Sequence, residues 1–171
     1  KKIAPRNRYV VMRHGQAEHN VLGVINSDIK HVKPLTDEGR KGVEATAREL
    51  KKVDVIFTSP FARAQETAAV VAETLGLPKS TIKTDDRIRE INTGEFDGKL
   101  VSEYHSYFAS FEERFTKTPR GGENYAEVKR RVTEFLYDID CDYEGKTILI
   151  VTHDSPAWLM FAGAELCNLE Q

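Results

Sequence analysis

Short apolar runs that end abruptly in charge recur along this chain. RYVVM (8–12), VDVIFTS (53–59) and TILIVT (147–152) are apolar with almost no alternation. That pattern predicts strands buried on both faces, and TIKTD (81–85) predicts a shorter fourth. The segments between them carry helical spacing. PLTDEGRKGVEATARELKK (34–52) places Val43, Ala47 and Leu50 on one face, with Thr36 as its N-cap. SPFARAQETAAVVAETLG (59–76) opens with Ser59 as cap and Pro60 in the first turn, and stops at Gly76. ENYAEVKRRVTEFLYDI (123–139) repeats Tyr125, Val128, Val132, Phe135 and Ile139 along one stripe. SPAWLMFAGAEL (155–166) predicts a last helix, again opened by Ser-Pro. Strands alternating with helices predict an α/β protein, a three-layer α/β/α sandwich around a mainly parallel central sheet.

A length of 171 residues suits a single domain with a substantial core. With 40% hydrophobic and 30% charged residues the composition is that of a globular chain. The net charge of -2 argues against a nucleic-acid partner. No run has the apolar length needed to cross a bilayer. The start, KKIAPRNRYVV, lacks the apolar centre of a secretion signal. The two cysteines, Cys141 and Cys167, form no CxxC pair and read as small buried hydrophobes in a reduced, cytoplasmic protein.

In an open parallel sheet, ligands sit beyond the carboxyl ends of the strands. Arg13 and His14 follow one strand, His153 follows another, and Arg63 lies in the first turn of the helix leaving a third. Arginines offer planar donors to phosphate or carboxylate oxygens, and helix N-termini add backbone N–H groups. Gly15 has no side chain, so an anion can approach the backbone there. The set reads as a phosphate pocket containing an imidazole able to attack phosphorus. A metal reading, with His14 and His19 as ligands helped by His31, His105 or His153, finds no matching spacing.

VVMRHGQAEHN, PLTDEGRKG, FTSPFARAQETA, IREINTGEFDG, PRGGENYAEV and VTHD occur in that order over residues 9 to about 160. Together they resemble the histidine phosphatase superfamily, and most of all its phosphoglycerate-mutase-like branch. The resemblance implies a domain over 1–171 with His14 as a nucleophile that becomes phosphohistidine. It implies that Arg13, Arg63 and His153 bind the phosphoryl group and that Asn20 adds a hydrogen bond. Glu90 would protonate the leaving oxygen and then activate water, with no metal or other cofactor. Glu18, Glu95 and Asp154 are rival carboxylates. A small phosphate ester is the expected partner, and oligomeric state is left open.

The chain departs from the family pattern in places. THDSP puts Asp154 where a THG triplet has glycine, adding a negative charge near the phosphate. Gln16-Ala17 stand where an acidic residue and threonine are common, and Gln16 can still contact substrate. The chain stops at LCNLEQ, where family members commonly run on to another strand. That end fits a domain cut from a longer chain, or a sheet edge closed differently. The mutases of this branch carry a longer insertion after the acid, with a GLNK-like stretch missing here. A phosphatase is therefore expected; a phosphoglycerate mutase and a non-catalytic phosphate-binding or regulatory domain are the alternatives. The stretch 99–120 reads as a lid or insertion. Its Tyr104, Tyr107, Phe108, Phe111 and Phe115 fit one helical face, either packed on the sheet edge or over the pocket. Arg120 could meet a second acidic group on the substrate.

Overall fold

A computed structural model describes residues 5–169, with side chains through 162. Four parallel strands, β1 (Arg8–Arg13), β2 (Val55–Thr58), β3 (Ile82–Thr84) and β4 (Thr147–Thr152), form one sheet in the order β1-β4-β2-β3. The expected strands match these to within two residues at either end. β4 is central and completely buried, which explains why TILIVT shows no polar alternation. Its successive side chains still point to opposite faces. Ile148 and Ile150 join one core, while Leu149 and Val151 join the other.

A short helix, α1 (Glu18–Leu22), follows β1, and longer helices cover both faces. α2 (Asp37–Arg48) and α3 (Ala62–Thr74) bury Val43, Ala47, Ala64 and Ala68 against Leu149 and Val151. On the opposite face α5 (Tyr125–Asp142) buries Tyr125, Val128, Val132, Phe135 and Ile139, the stripe expected from spacing. α6 (Asp154–Leu169) adds Leu159 and Met160. The caps have local causes. The Thr36 hydroxyl accepts from Gly39 N at 3.0 Å. Asn124 and Glu127 form a reciprocal capping box. α3, however, starts later than expected, with Phe61 as its N-cap. The Ser59 hydroxyl accepts from Phe61 N at 3.3 Å and also meets His153 at 2.7 Å, so it braces the turn ahead of α3 rather than capping the helix itself. α6 starts one residue earlier than expected. Ala157 N donates to His153 O, so Asp154 already lies in the first turn.

Two expectations are corrected. The aromatics of 99–120 do not share one helical face. α4 (Val101–Ser106) ends early, and the chain turns before a 3-10 turn at Glu112–Phe115. Side chains take the backbone groups that a longer helix would have used. Lys117 Nζ donates to Tyr107 O at 2.6 Å, and Ala109 N donates to Glu113 at 2.9 Å. Tyr104, Tyr107 and Phe108 then pack with one another and, through the two tyrosines, with Phe96, while Phe111 and Phe115 pack with Tyr125 and Trp158. The second correction is Cys141, which is exposed near the end of α5; Cys167 lies outside the described side chains. Among the described residues no helix is long and apolar enough to cross a membrane.

Candidate active site

The strand order brings the carboxyl ends of β1, β4 and β2 side by side. His14 continues the β1–β4 ladder by donating its N–H to Thr152 O at 2.9 Å. His153 follows β4, and α3 leaves β2 carrying Arg63. Three residues distant in sequence thereby meet. The imidazole rings of His14 and His153 lie 5.1 Å apart between centroids.

Arg63 occupies the centre and is only 1% exposed. Its Nε donates to His14 Nε2 at 3.1 Å. Nη1 donates to Asn26 Oδ1 at 2.6 Å, and Nη2 donates to Asn26 O at 3.0 Å and to His153 Nδ1 at 3.2 Å. A guanidinium can only donate, so both imidazole nitrogens facing it must accept. This assigns the tautomers. The proton of His14 sits on Nδ1 and is donated to Gly15 O at 2.7 Å. The proton of His153 sits on Nε2 and is donated to the Ser59 hydroxyl. Burial, then the charge of Arg63, depress both rings' basicity, His14 to about 3 and His153 well below the ordinary value. Both are neutral at pH 7, and His14 presents an unprotonated Nε2.

Glu90 closes the group from the loop after β3. Its Oε2 lies 3.6 Å from Arg63 Nη2 and 3.5 Å from His153 Nδ1. Burial raises its carboxyl pKa, opposed by Arg63. Arg13 stands at the mouth, 55% exposed, with Nη1 3.9 Å from Asp154 Oδ1. Asp154 therefore faces a cation. It also occupies the first turn of a helix, where negative charge is favourable. Asn20 accepts from Ala17 N at 2.9 Å and directs its amide to His19 Nε2 at 3.1 Å. His19 is held to about 4 by burial and by Arg63, and its buried Nδ1 has no partner among the described residues.

A cleft of about 350 Å³ joins Arg13, His19, Asn20, Glu90, Tyr104 and Asp154. Arg114 lines it too. That guanidinium lies 5.3–6.0 Å from the rings of Tyr104, Phe108, Phe111 and Tyr125 and donates to the Tyr125 hydroxyl at 3.1 Å. Among the described residues no carboxylate lies within ion-pair distance of it. Sequence reading missed Arg114, as it missed Asn26, because neither lies in a segment that signals chemistry.

The remaining expected residues lie elsewhere or are held for other reasons. Gly15 N donates to Thr67 Oγ1 at 3.0 Å, so its N–H is not open to an anion. A Cβ at Gly15 would lie 2.6 Å from Val43 Cγ2, so packing against α2 demands this glycine. Gln16 accepts from the Thr36 hydroxyl at 2.8 Å, tying the loop to the start of α2. Arg120 is 87% exposed beside Glu95 and lines a different cleft. Of the rival carboxylates, Glu18 lies near Lys33 and Glu95 near Arg120, both away from Arg63. Among the described residues no group of three or more metal-ligating side chains converges.

The histidine phosphatase superfamily (branch 1) matches residues 9–171. Phosphoserine phosphatase 1 of Hydrogenobacter thermophilus is 31% identical over 90% of this chain and 74% of its own length. A metal-independent phosphoserine phosphatase of Arabidopsis thaliana is 28% identical over 84% of this chain and 63% of its own length. Among solved structures, Bacillus stearothermophilus YhfR superposes with a TM-score of 0.79 at 29% identity, covering 93% of this chain and 80% of its own. With the four-stranded parallel sheet and the cluster around Arg63 in place, the conclusion is that this chain belongs to branch 1 of the histidine phosphatase superfamily.

Proposed function

We propose that this phosphatase hydrolyses a small phosphate monoester through a phosphohistidine at His14. The observation that carries the reading is the neutral Nε2 of His14, presented beside the guanidinium of Arg63. In the first step the substrate phosphoryl group enters between them. Arg63 and Arg13 hold its oxygens, Arg63 in place of its contacts with the two imidazoles and Arg13 in place of its contact with Asp154, while neutral His153 lines the site. Nε2 attacks phosphorus, and the bond to the ester oxygen breaks. Glu90, whose carboxyl pKa is raised by burial, gives its proton to that oxygen. Gly15 O accepts from Nδ1–H and supports the positive ring. In the second step Glu90, now a carboxylate, takes a proton from water as the water oxygen attacks phosphorus. The N–P bond breaks, releasing phosphate and neutral His14. The positive charge comes from side chains, and no metal enters the scheme.

The cleft supports a substrate with a second anionic group. Arg13 and Arg63 match a phosphate dianion, which leaves Arg114 as a further cation fixed by aromatic rings. A carboxylate suits its forked donors. The phosphoserine specificity in the names of two relatives agrees with this chemistry. O-phosphoserine is the substrate to test first, against O-phosphoethanolamine, which lacks the carboxylate.

The test begins with para-nitrophenyl phosphate. His14→Ala is expected to lose activity by at least about a thousandfold. The wild type is expected to keep its rate in EDTA and to yield, on rapid quenching at alkaline pH, a phosphoryl adduct on His14. Full activity in the variant, or an adduct elsewhere, refutes the mechanism.

A further inference from the structure

The loop bearing Glu90 has almost no structure of its own. Only a single 3-10 turn, Asp86–Ile88, precedes it, and no strand or helix takes up its carbonyls. Four consecutive carbonyls, those of residues 87 to 90, face inward, where an unpaired acceptor is costly. All four are met by side chains. Thr152 Oγ1 donates to Ile88 O at 2.6 Å. Arg131, one-tenth exposed on α5, takes the other three. Its Nη1 donates to Arg87 O at 2.6 Å and to Arg89 O at 2.9 Å, and its Nη2 donates to Glu90 O at 3.2 Å.

The remaining two donors of Arg131 go to Glu123, Nε to Oε1 and Nη2 to Oε2, both at 3.1 Å. All five guanidinium hydrogens are thus used, three on the acid loop and two on one carboxylate. Glu123 in turn accepts from Arg89 Nη2 at 2.7 Å and from Asn92 N at 3.0 Å. It therefore grips the loop on both sides of Glu90. Thr152 stands directly before His153, so the same suspension sets the acid against that histidine, Glu90 Oε2 lying 3.5 Å from its Nδ1.

We propose that Arg131, locked by Glu123, is a positioning residue that aims the Glu90 carboxyl at the leaving oxygen. The proposal rests on the reading of Glu90 as the general acid. Arg131 touches no reacting atom and acts only through the backbone of 87–90. A lysine cannot replace it, because one ammonium cannot reach three separated carbonyls and a carboxylate together.

Leaving-group dependence separates aiming from mere support. 2,4-Dinitrophenol departs as a stable anion and needs no proton, whereas glycerol does. The whole chain carrying Glu90→Gln, Arg131→Lys or Glu123→Gln is assayed on 2,4-dinitrophenyl phosphate and on β-glycerophosphate. Glu90→Gln sets the scale by losing far more rate on the glycerol ester. Arg131→Lys is expected to shift the ratio of the two kcat/KM values, which report the step that expels the leaving group, the same way by about tenfold or more, equivalent to about 1.4 kcal/mol. Glu123→Gln, which leaves the arginine present but unlocked, is expected to shift it less. Should Arg131→Lys fold poorly, Glu123→Gln decides alone. An equal loss on both esters, with Glu90→Gln still selective, overturns the proposal. A Glu90→Gln variant with no selectivity overturns the acid assignment itself, and the proposal falls with it.

Discussion

Arg63 donates one hydrogen bond to Nε2 of His14 and another to Nδ1 of His153, so a single buried guanidinium sets the tautomer of both rings. Because a guanidinium cannot accept, neither facing nitrogen can carry a proton. The nucleophilic nitrogen carries no proton before substrate arrives, and the guanidinium that now donates to it is already in position to turn to the phosphoryl oxygens. Electrostatic preorganisation of this kind is worth most where water is excluded, and Arg63 and His153 are almost completely buried.

Asn26 is what holds Arg63 in that attitude, through both its side-chain and backbone oxygens. Asn26→Ala leaves Nη1 without its acceptor in a dry site. A stability loss of about 1–3 kcal/mol is expected in urea unfolding. kcat/KM should fall by more than the folded fraction explains. Unchanged kcat/KM in folded Asn26→Ala contradicts this role.

Three histidines held neutral by burial give stability a definite pH trend. The unfolded chain binds a proton on each near pH 6.5, whereas folded His14 waits until about 3 and folded His19 until about 4. Between those values the unfolded state holds more protons, so stability rises with pH and is lost as pH falls from 6.5 toward 3. Each histidine contributes a slope of at most about 1.4 kcal/mol per pH unit. Glu90, raised in the folded state, contributes the opposite slope above its ordinary range. Urea melts between pH 4 and 7 should show the rise, flattened in His14→Gln.

Activity should follow Glu90 instead. Its proton must be present for the first step, so kcat/KM is expected to fall as pH rises through the elevated Glu90 pKa. His14 stays neutral down to about 3 and imposes no acid limb above that. A pH profile on an alkyl phosphate checks this, and a falling acid limb near pH 6.5 would point to a titrating histidine.

Gly15 tests the tightness of the loop under the nucleophile. In Gly15→Ala the new methyl meets Val43 Cγ2 at 2.6 Å and Gly39 O at 2.9 Å. Overpacking of this kind costs about 1–3 kcal/mol. The backbone must shift, carrying His14 with it, so kcat should fall more than Tm predicts. Full activity with wild-type Tm contradicts the packing role.

Asp154 opposes phosphate through Arg13 at the cleft mouth. Asp154→Asn removes that competition while weakening the favourable charge in the first turn of α6. Inhibition by inorganic phosphate is expected to tighten by less than about tenfold, because both partners are largely exposed and solvent screens them. The loss in Tm should be small. A weaker grip on phosphate in the variant would mean that Asp154 orients Arg13 rather than restraining it.

Much of this protein was legible in the chain. TILIVT is apolar at every position because β4 is central and covered on both sides, so burial wrote itself into composition. The stripe Tyr125, Val128, Val132, Phe135 and Ile139 follows from the helical period. The motif segments carrying His14, Arg63, Glu90 and His153 pointed to one rim because parallel strands all deliver their carboxyl ends to the same edge. Other features depended on three-dimensional packing. The break after α4 came from Lys117 and Glu113 capturing backbone groups that a continuous helix would have used. Gly15 turned out to be demanded by Val43, far along the chain. The strand order β1-β4-β2-β3, the meeting of Arg63 with Asn26, and the suspension of the Glu90 loop from Arg131 have no local signature. Each is a contact between segments distant in sequence. Periodicity reports what a residue does within its own element, whereas such contacts arise only when the elements are packed together.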